Sequence, residues 1–184
     1  MSHTRTPIAS GSAVPLPDVK ARARVDGDYE DADMQRLTDA AASEIERHAE
    51  LALLAQVVTV TLRAWCHRIP LPIGPFWPEG LADHPIAVEL IDEAGNIIPH
   101  PAGWWIEGGR HPVLNLTSPA HGAAIRIRYP AGYGMTSASI PADLQLAVAD
   151  HAAMMYDARG ITDAPQGLSL AATRIAARHR RVAI

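Results

Sequence analysis

Alanine content is the feature that most limits how this chain can fold. Hydrophobic residues make up 48% of the 184 residues, which is ordinary for a globular protein. However, 33 of the 88 hydrophobic residues are alanines, and each alanine buries only a methyl group. Because apolar burial stabilises a fold by about 25 cal/mol per Å², the other 55 hydrophobic residues can build only a small core. We expect either two small lobes or a subunit that completes its burial against neighbouring copies.

The charge distribution predicts an acidic body and a basic C-terminal tail, residues 174–184. The net charge is −4, from 20 acidic and 16 basic side chains. A segment of eight residues without any acid carries four of the arginines, Arg174, Arg178, Arg180 and Arg181. An acidic body is not typical of a nucleic-acid-binding protein, which needs a basic face. The tail is either a solvated helix end, favoured by the helix dipole, or a segment that docks on an acidic partner.

The sequence predicts neither a secreted disulfide-bonded protein nor a membrane protein. Cys66 is the only cysteine, so an internal disulfide cannot form and we expect a reducing compartment. The first residues lack the apolar run of a signal peptide. The longest apolar candidate, residues 51–62, is interrupted by a glutamine and two threonines and is shorter than the roughly 20 residues that a membrane span needs.

Hydrophobic periodicity predicts three helices. In chain order they are residues 28–55, 141–159 and 167–180. In the first helix, Met34, Ala41 and Ile45 lie on one apolar stripe, and Pro141 suits the first turn of the second. Residues 1–27 contain prolines and glycines without apolar periodicity, so we predict a flexible N-terminal arm there.

Between the first two helices, residues 57–130 are predicted to form short antiparallel strands. Apolar and polar residues alternate in residues 57–62 and again in residues 125–129, with many β-branched side chains. The proline-rich residues 69–78 predict an irregular extended connector, because proline lacks an N–H donor. Several short strands at this spacing make a small antiparallel sandwich or partial barrel. The predicted fold class is therefore α+β, a small helical bundle with an inserted β region.

No motif in the sequence is typical of a catalytic, cofactor or metal site. Nine histidines are present, but no His-Glu-x-x-His or Cys-x-x-Cys pattern occurs. Ser137, Asp143 and His151 are close in sequence without the Gly-x-Ser-x-Gly turn of a serine nucleophile. We expect His151 to lie on a helix flank near a packed surface instead. We therefore predict that the chain is not an enzyme and holds no cofactor or metal ion.

The adjacent tryptophans Trp104 and Trp105 are the candidate binding residues of the β region. Successive side chains of a strand point to opposite faces, so at least one of the two is expected to be exposed or at an interface. Exposed tryptophans are frequent hot spots of protein contacts, and they also stack on sugars. The alternative is that one fills the core and the other packs under a loop. A carbohydrate- or ligand-binding β module is thus an alternative function.

A series of short motifs occurs in order along residues 28–160. In chain order they are Asp31-x-x-Met34-x-x-Leu37, Ala40-Ala-Ala42-x-x-Ile45-Glu46, a strand that ends in Trp65, Ile69-Pro-Leu-Pro-Ile, Ile127-x-Tyr129-x-Ala-Gly-Tyr-Gly134, Ile140-Pro-Ala-Asp-Leu-x-x-Ala147 and Tyr156-x-x-Arg159. The most specific part is Ala-Gly-Tyr-Gly followed by Ile-Pro-x-Asp-Leu. With these motifs the chain resembles the head–tail connector (adaptor) proteins of long-tailed double-stranded DNA phages and of gene transfer agents.

The resemblance implies a structural role rather than catalysis. Such adaptors form a ring, usually of twelve copies, between the portal and the first tail or stopper ring, and DNA passes through the lumen without sequence-specific binding. Residues 28–184 would form a single adaptor domain, at the head–tail junction of a particle assembled in the bacterial cytoplasm. The resemblance also implies that the C-terminal segment engages the portal. We therefore predict a portal or neighbour interface formed by Arg174, Arg178, Arg180, Arg181, Trp104 and Trp105.

Overall fold

The computed structural model describes residues 2–100, 103–160 and 167–181. Their helices are α1 (Leu16–Ala23), α2 (Asp31–Ala49), α3 (Ala142–Asp157) and α4 (Leu170–His179). Their strands are β1 (Ser2–Pro7), β2 (Gln56–Leu62), β3 (Arg68–Pro70), β4 (Ala87–Ile91), β5 (Ile97–Pro99), β6 (Trp104–Glu107), β7 (Val113–Leu116) and β8 (Ala124–Ala131). The chain divides into two compact units. We call them the helical unit (Ser10–Leu54 and Gly134–Ile184) and the β unit (Met1–Ala9 and Ala55–Tyr133).

In the helical unit, α3 packs against each of the other three helices. Its sequence is apolar around most of its circumference, as expected of a helix that is covered on several sides. Ala147 and Ala152 of α3 and Ala41 of α2 are completely buried. Because the distance between packed helices depends on the side chains between them, these alanines allow a close approach of the helices. The alanine-rich composition is therefore used in helix packing.

The first predicted helix is shorter than residues 28–55. It begins at Asp31, and it ends because Glu50 takes a left-handed conformation with a φ of 55°. The N–H of Leu53 then donates to the carboxylate of Glu46 at 2.6 Å. The residues after α2 are buried, so the chain turns there and packs instead of continuing the helix.

The β unit contains two antiparallel sheets. Five strands lie in the order β1-β2-β8-β4-β5, and three lie in the order β3-β7-β6. In the larger sheet, Val60 and Val88 both lie opposite Ile127, and Val58 lies opposite Tyr129. These alternating residues are buried, whereas Arg126 on the other face of β8 pairs with a glutamate of β4. One face of the sheet thus supplies the core, as the alternation predicts.

A buried hydroxyl is one of the links between the proline-rich segment and the larger sheet, beside backbone hydrogen bonds further along the segment. The hydroxyl of Tyr129 donates to the carbonyl oxygen of Ile73 at 2.9 Å and accepts from its N–H at 3.2 Å. At Gly74 a Cβ atom would lie 1.8 Å from the carbonyl oxygen of Arg110, so no other residue fits there without movement. The prediction that this segment has no regular structure is wrong at its start, because β3 includes Pro70. β3 is an edge strand, where proline is tolerated.

The prediction of a flexible N-terminal arm over residues 1–27 is also wrong, because residues 2–7 form a strand and residues 16–23 a helix. β1 pairs with β2 along its whole length, from Ser2 opposite Thr61 to Pro7 opposite Gln56. Within the helical unit, α1 packs against α3 and buries Val19. Neither element shows periodicity in the sequence, because β1 is an exposed edge strand and α1 has one fully buried side chain.

The predicted α+β class is confirmed. The described residues form four helices and two antiparallel sheets of five and three strands, which do not close into a barrel. The second and third predicted helices, residues 141–159 and 167–180, agree with α3 and α4 to within three residues at each end. The extent of a single adaptor domain, residues 28–184, stays a prediction.

Candidate functional site

Helix α4 carries the first two of the four clustered arginines. Its N-cap Ser169 accepts the N–H of Ala172 at 3.2 Å. The buried side consists of Ala172, Ile175, Ala176 and His179. Helical spacing predicts that Leu168, Ala171, Ile175 and Arg178 share one side of this helix, but of these only Ile175 is buried. Alanines at positions 171, 172, 176 and 177 lie on both sides of this helix. The sequence therefore shows no difference in hydrophobicity between the two sides.

The outward side of α4 forms one continuous surface, which we call the α4 outer face. It consists of Leu170, Thr173, Arg174, Ala177 and Arg178, all of them exposed. Residues three and four apart lie on the same side of a helix, so the two arginines and Leu170 form one row. Leu170 is 76% exposed. Beyond α4, Arg180 is exposed and Arg181 is half-buried.

The C-terminal end of α4 is held by His179, which is 5% exposed. Its Nε2 lies 2.8 Å from the carboxylate of Asp143 in the first turn of α3. Burial alone would raise the pKa of Asp143, but the hydrogen bond and charge of His179, the N–H of Leu144 and the nearby Arg178 hold it below its ordinary value of 3.8. Nδ1 of His179 is buried and has no hydrogen-bond partner among the described residues. The end of α4 that precedes Arg180 is therefore fastened to α3.

The N-terminal end of α4 is held by His151 of α3, which is 1% exposed. Nδ1 of His151 accepts the N–H of Ser169 at 3.3 Å, so the ring proton belongs on Nε2, which lies 3.0 Å from Glu44 of α2. The hydroxyl of Ser169 donates to Asp150 at 2.8 Å. His151 therefore joins three helices at a packed surface, as we expected, and its two ring nitrogens bond Glu44 and the backbone of Ser169.

The two candidate tryptophans differ in their surroundings. Trp104 is half-buried, and its Nε1 donates to the carbonyl oxygen of His100 at 2.8 Å. Trp105 is 51% exposed on β6, an edge strand of the smaller sheet. The expectation that at least one of them is exposed is confirmed. Trp105 is thus the tryptophan available for contact, and the interface itself stays a prediction.

A second charged surface lies between α1 and α2, and sequence reasoning missed it. Within residues 26–33 five side chains are acidic, and Tyr29 among them is fully exposed. We call the exposed group of Asp26, Asp28, Tyr29 and Asp33 the acidic corner. The sequence pattern predicts an N-cap at Asp28 and favourable helix-dipole contacts for the aspartates that follow it, although five acids in eight residues are a denser cluster than the four arginines.

Internal ion pairs hold the acidic corner in place. Lys20 of α1 bonds Asp31 at 2.6 Å and Asp28 at 3.0 Å, and these hydrogen bonds, first from Asp31 and then from Asp28, raise the pKa of Lys20. Arg36 bonds Asp33 at 2.8 Å within α2. These pairs leave Asp28 with a side chain that is 90% exposed and Asp33 with one that is 55% exposed.

Tyr156 and Arg159, which form the last of the sequence motifs, meet Glu30 at the start of α2. The Tyr156 hydroxyl donates to the Glu30 carboxylate, and Arg159 approaches the same carboxylate at 3.3 and 3.4 Å. The guanidinium of Arg159 also lies 3.7 Å from the centre of the Tyr156 ring. The hydrogen bond from Tyr156, followed by that from Arg159, lowers the pKa of Glu30. This motif therefore ties α2 to α3.

The described parts of the chain also bear on metal binding, membrane insertion and grooves. No three histidine, cysteine, aspartate or glutamate side chains come together there in a way that could hold a metal ion. None of the described helices combines the length and the apolar character needed to cross a membrane. A groove of about 750 Å³ in the helical unit is bordered by Arg22, Arg24, Asp150 and Asp157, and Arg22 pairs with Asp150 inside it.

Comparison with known proteins gives matches among solved structures. No protein-family model and no curated protein sequence matches this chain. A chain in the neck of an empty gene transfer agent (GTA) particle, computed with C6 symmetry, has a TM-score of 0.80 and 25% identity, and the match covers 100% of this chain and 97% of that one. A chain in the virion of a native GTA particle has a TM-score of 0.79 and 25% identity over the same shares of both chains.

A third similar chain belongs to the neck of a native GTA particle computed with C12 symmetry. Its TM-score is 0.71 at 26% identity, and the match covers 98% of this chain and 97% of that one. The three matches span nearly the full length of both partners, so they include the β unit as well as the helices. The resemblance that the sequence motifs indicate is confirmed: this chain has the fold of a head–tail connector-type protein from the neck of gene transfer agent particles.

Proposed function

We propose that the chain is a structural adaptor, which forms a ring in the neck of a phage-like particle and joins the portal to the tail. The observation that carries this proposal is the full-length similarity to chains of GTA necks, which were computed with C6 and C12 symmetry. Copies related by cyclic symmetry form a closed ring. DNA would pass through its lumen without sequence-specific binding, and no catalytic step belongs to this role.

Exposed apolar side chains support a subunit that is completed by neighbours. They are Tyr29, Ile97, Ile98, Trp105, Met135, Leu146 and Leu170. Single exposed hydrophobic residues are common on any protein, but a chain with a small core has few large side chains to leave in water. We propose that contacts in the particle cover part of this surface.

The predicted interface residues can be ordered by their exposure. Arg174, Arg178, Arg180 and Trp105 are exposed, Arg181 and Trp104 are half-buried, and the indole N–H of Trp104 is already bonded. We propose the exposed four as direct contacts with the portal, a stopper or tail protein, or a neighbouring copy.

Deletion of the gene for this chain, in cells that produce its particles, tests the adaptor function. We expect filled or empty heads that are separate from tails, with normal particles restored when the chain is supplied from a plasmid. Electron microscopy of the restored particles should show the chain as a layer next to the portal. Attached tails in the deletion strain, or absence of the chain from purified wild-type particles, would contradict the proposal.

The exposure of Trp105 also favours a second candidate function, carbohydrate binding. A half-exposed indole on an edge strand suits stacking on a sugar ring as well as a protein contact. A glycan array separates the two functions, because an adaptor needs no saturable binding to any glycan.

A further inference from the structure

We propose that the α4 outer face, together with Arg180, docks on the acidic corner of a second copy of this chain and forms the contact between neighbouring subunits of the ring. This inference rests on the proposed adaptor ring and adds to it the two surfaces that meet. Both surfaces belong to the helical unit, and their members are described above.

The charge of this chain is distributed unevenly between its two units. The β unit carries six acidic and six basic side chains. In the helical unit, residues 10–54 and 134–173 carry fourteen acidic and six basic side chains, whereas residues 174–184 carry four arginines and no acid. The helical unit alone therefore combines a strongly acidic body with a basic end, so a second copy offers the arginines a complementary surface.

Within one copy of the chain, over the residues that the structure describes, Arg174 and Arg180 do not pair with the acids of the acidic corner. The ion pairs of the acidic corner are made by Lys20 and Arg36. In the portion of the chain that the structure describes, no ion pair joins Arg174 or Arg180 to any acid of this corner. Arg178 differs, because its charge already acts on Asp143 within its own copy.

The similar neck assemblies were computed with cyclic symmetry. A cyclic ring is built from head-to-tail contacts, in which one surface of each copy meets a different surface of the next. A basic helix face and an acidic corner are two such surfaces, with opposite charge. Complementary charges also select the correct partner and register.

Each of the two surfaces also carries an exposed side chain with a large apolar part. Tyr29 stands fully exposed among the acids, and Leu170 is 76% exposed beside the arginines. Tyrosine is enriched among interface hot spots, and an arginine guanidinium binds favourably over an aromatic ring. Tyr29 thus gives the acidic corner a contact for arginine that does not depend on net charge.

A charge exchange between copies tests the proposal. The tail variant is Arg174→Glu with Arg180→Glu, which leaves Arg178 and its effect on Asp143 in place. The corner variant is Asp26→Lys with Asp28→Lys, which leaves the Lys20–Asp31 pair in place. Each variant replaces the chain in the producing cells, and copies of the chain per purified particle are counted by mass spectrometry against the major capsid protein.

Matched controls carry the same changes of charge elsewhere. Glu79→Lys with Glu93→Lys reverses two exposed acids of the β unit, and Arg63→Glu with Arg128→Glu reverses two of its exposed arginines. Circular dichroism and melting of each purified variant show whether it folds. A variant that fails to fold is replaced by its single substitution, Arg174→Glu or Asp26→Lys.

We expect each variant alone to lower the copies per particle at least fivefold, while both controls stay near the wild-type value. Co-expression of the two variants should restore the count, with equal amounts of each, because the reversed tail of one then meets the reversed corner of the other. Alternation of two variants closes rings of six or twelve copies, since both numbers are even.

Two results would overturn the proposal while the adaptor function stands. One is a lower number of copies per particle for the tail variant alone, with a normal number for the corner variant and no rescue on co-expression. That result would make the portal the partner of α4. The other is a normal count for both variants. Absence of the wild-type chain from the particles would be a different failure, that of the proposed function itself.

Discussion

Removal of one buried hydroxyl tests how the β unit holds its proline-rich segment. Tyr129→Phe keeps the shape of a completely buried side chain and deletes the group that both donates to and accepts from the backbone of Ile73. Ile73 is 1% exposed, so water cannot replace the lost hydroxyl without movement of the chain. Two buried backbone groups then lack a partner.

The expected loss follows from the cost of a buried polar group without a hydrogen bond. Each such group costs about 1–3 kcal/mol, so Tyr129→Phe should lower the free energy of unfolding by about 3 kcal/mol. For a chain of this size, a loss of 1 kcal/mol lowers the melting temperature by about 2–4 °C, which predicts a decrease of about 6–12 °C. Domains are stable by only about 5–15 kcal/mol, so the effect is large.

The distribution of tryptophan makes the measurement specific. All four tryptophans belong to the β unit, so their fluorescence reports its unfolding, while far-ultraviolet circular dichroism follows the helices. Tyr156→Phe is the matched control, because it deletes the same atom from a half-buried tyrosine of the helical unit. That control should lose much less stability than Tyr129→Phe, because water can replace the hydroxyl of a tyrosine that is partly open to solvent. A loss below about 0.5 kcal/mol for Tyr129→Phe would refute the role assigned to its hydroxyl.

Three further predictions follow from single sites. Gly74→Ala should destabilise the β unit far more than Gly108→Ala. The added Cβ would lie 1.8 Å from the Arg110 carbonyl oxygen at the first site and 3.4 Å from a ring carbon at the second. Urea titrations followed by tryptophan fluorescence measure the difference, and equal midpoints of unfolding would contradict this prediction. The pKa of Asp143 in the folded chain lies below 3.8, so its contribution to stability is present above that pH and is lost as the pH falls through the lower folded value. Asp143→Asn should therefore reduce the decline of the free energy of unfolding in acid. An unchanged dependence of this free energy on pH would refute the pairing of Asp143 with His179. Trp105→Ala should lower the copies of the chain per particle without a change in melting temperature. The wild-type chain should show no saturable binding on a glycan array. Saturable glycan binding that Trp105→Ala abolishes would favour the carbohydrate-binding alternative.

His151, which holds the N-terminal end of α4, shows a limit of prediction from sequence. Helical spacing places His151 on α3 and predicts a packed surface around it. Its partners Glu44 and Ser169 come from two other helices, 107 and 18 residues away in the chain. No local pattern links these positions, so the tautomer of His151 and its role at the α4 N-cap follow only from the packed helices.

Helix α4 illustrates a second limit, which comes from alanine itself. Four of its ten residues are alanines, and an alanine can lie on either side of a helix with little difference in free energy. The sequence therefore predicts a helix at this place but not which side is buried. The packing of Ile175 and His179 against the bundle decides it, and with it which residues form the α4 outer face.

By itself, the sequence determined the features that depend on neighbouring residues. These are the α+β class, the extent of α3 to within two residues at each end, the alternation in β2 and β8, and the clustering of arginines at the C-terminal end. Only the tertiary structure decided the rest: that residues 2–23 contain a strand and a helix, that α2 ends at Ala49, and that the acidic corner stands exposed. An edge strand and a short helix take their stability from partners that are distant in the chain, and such partners leave no periodic mark in the local sequence.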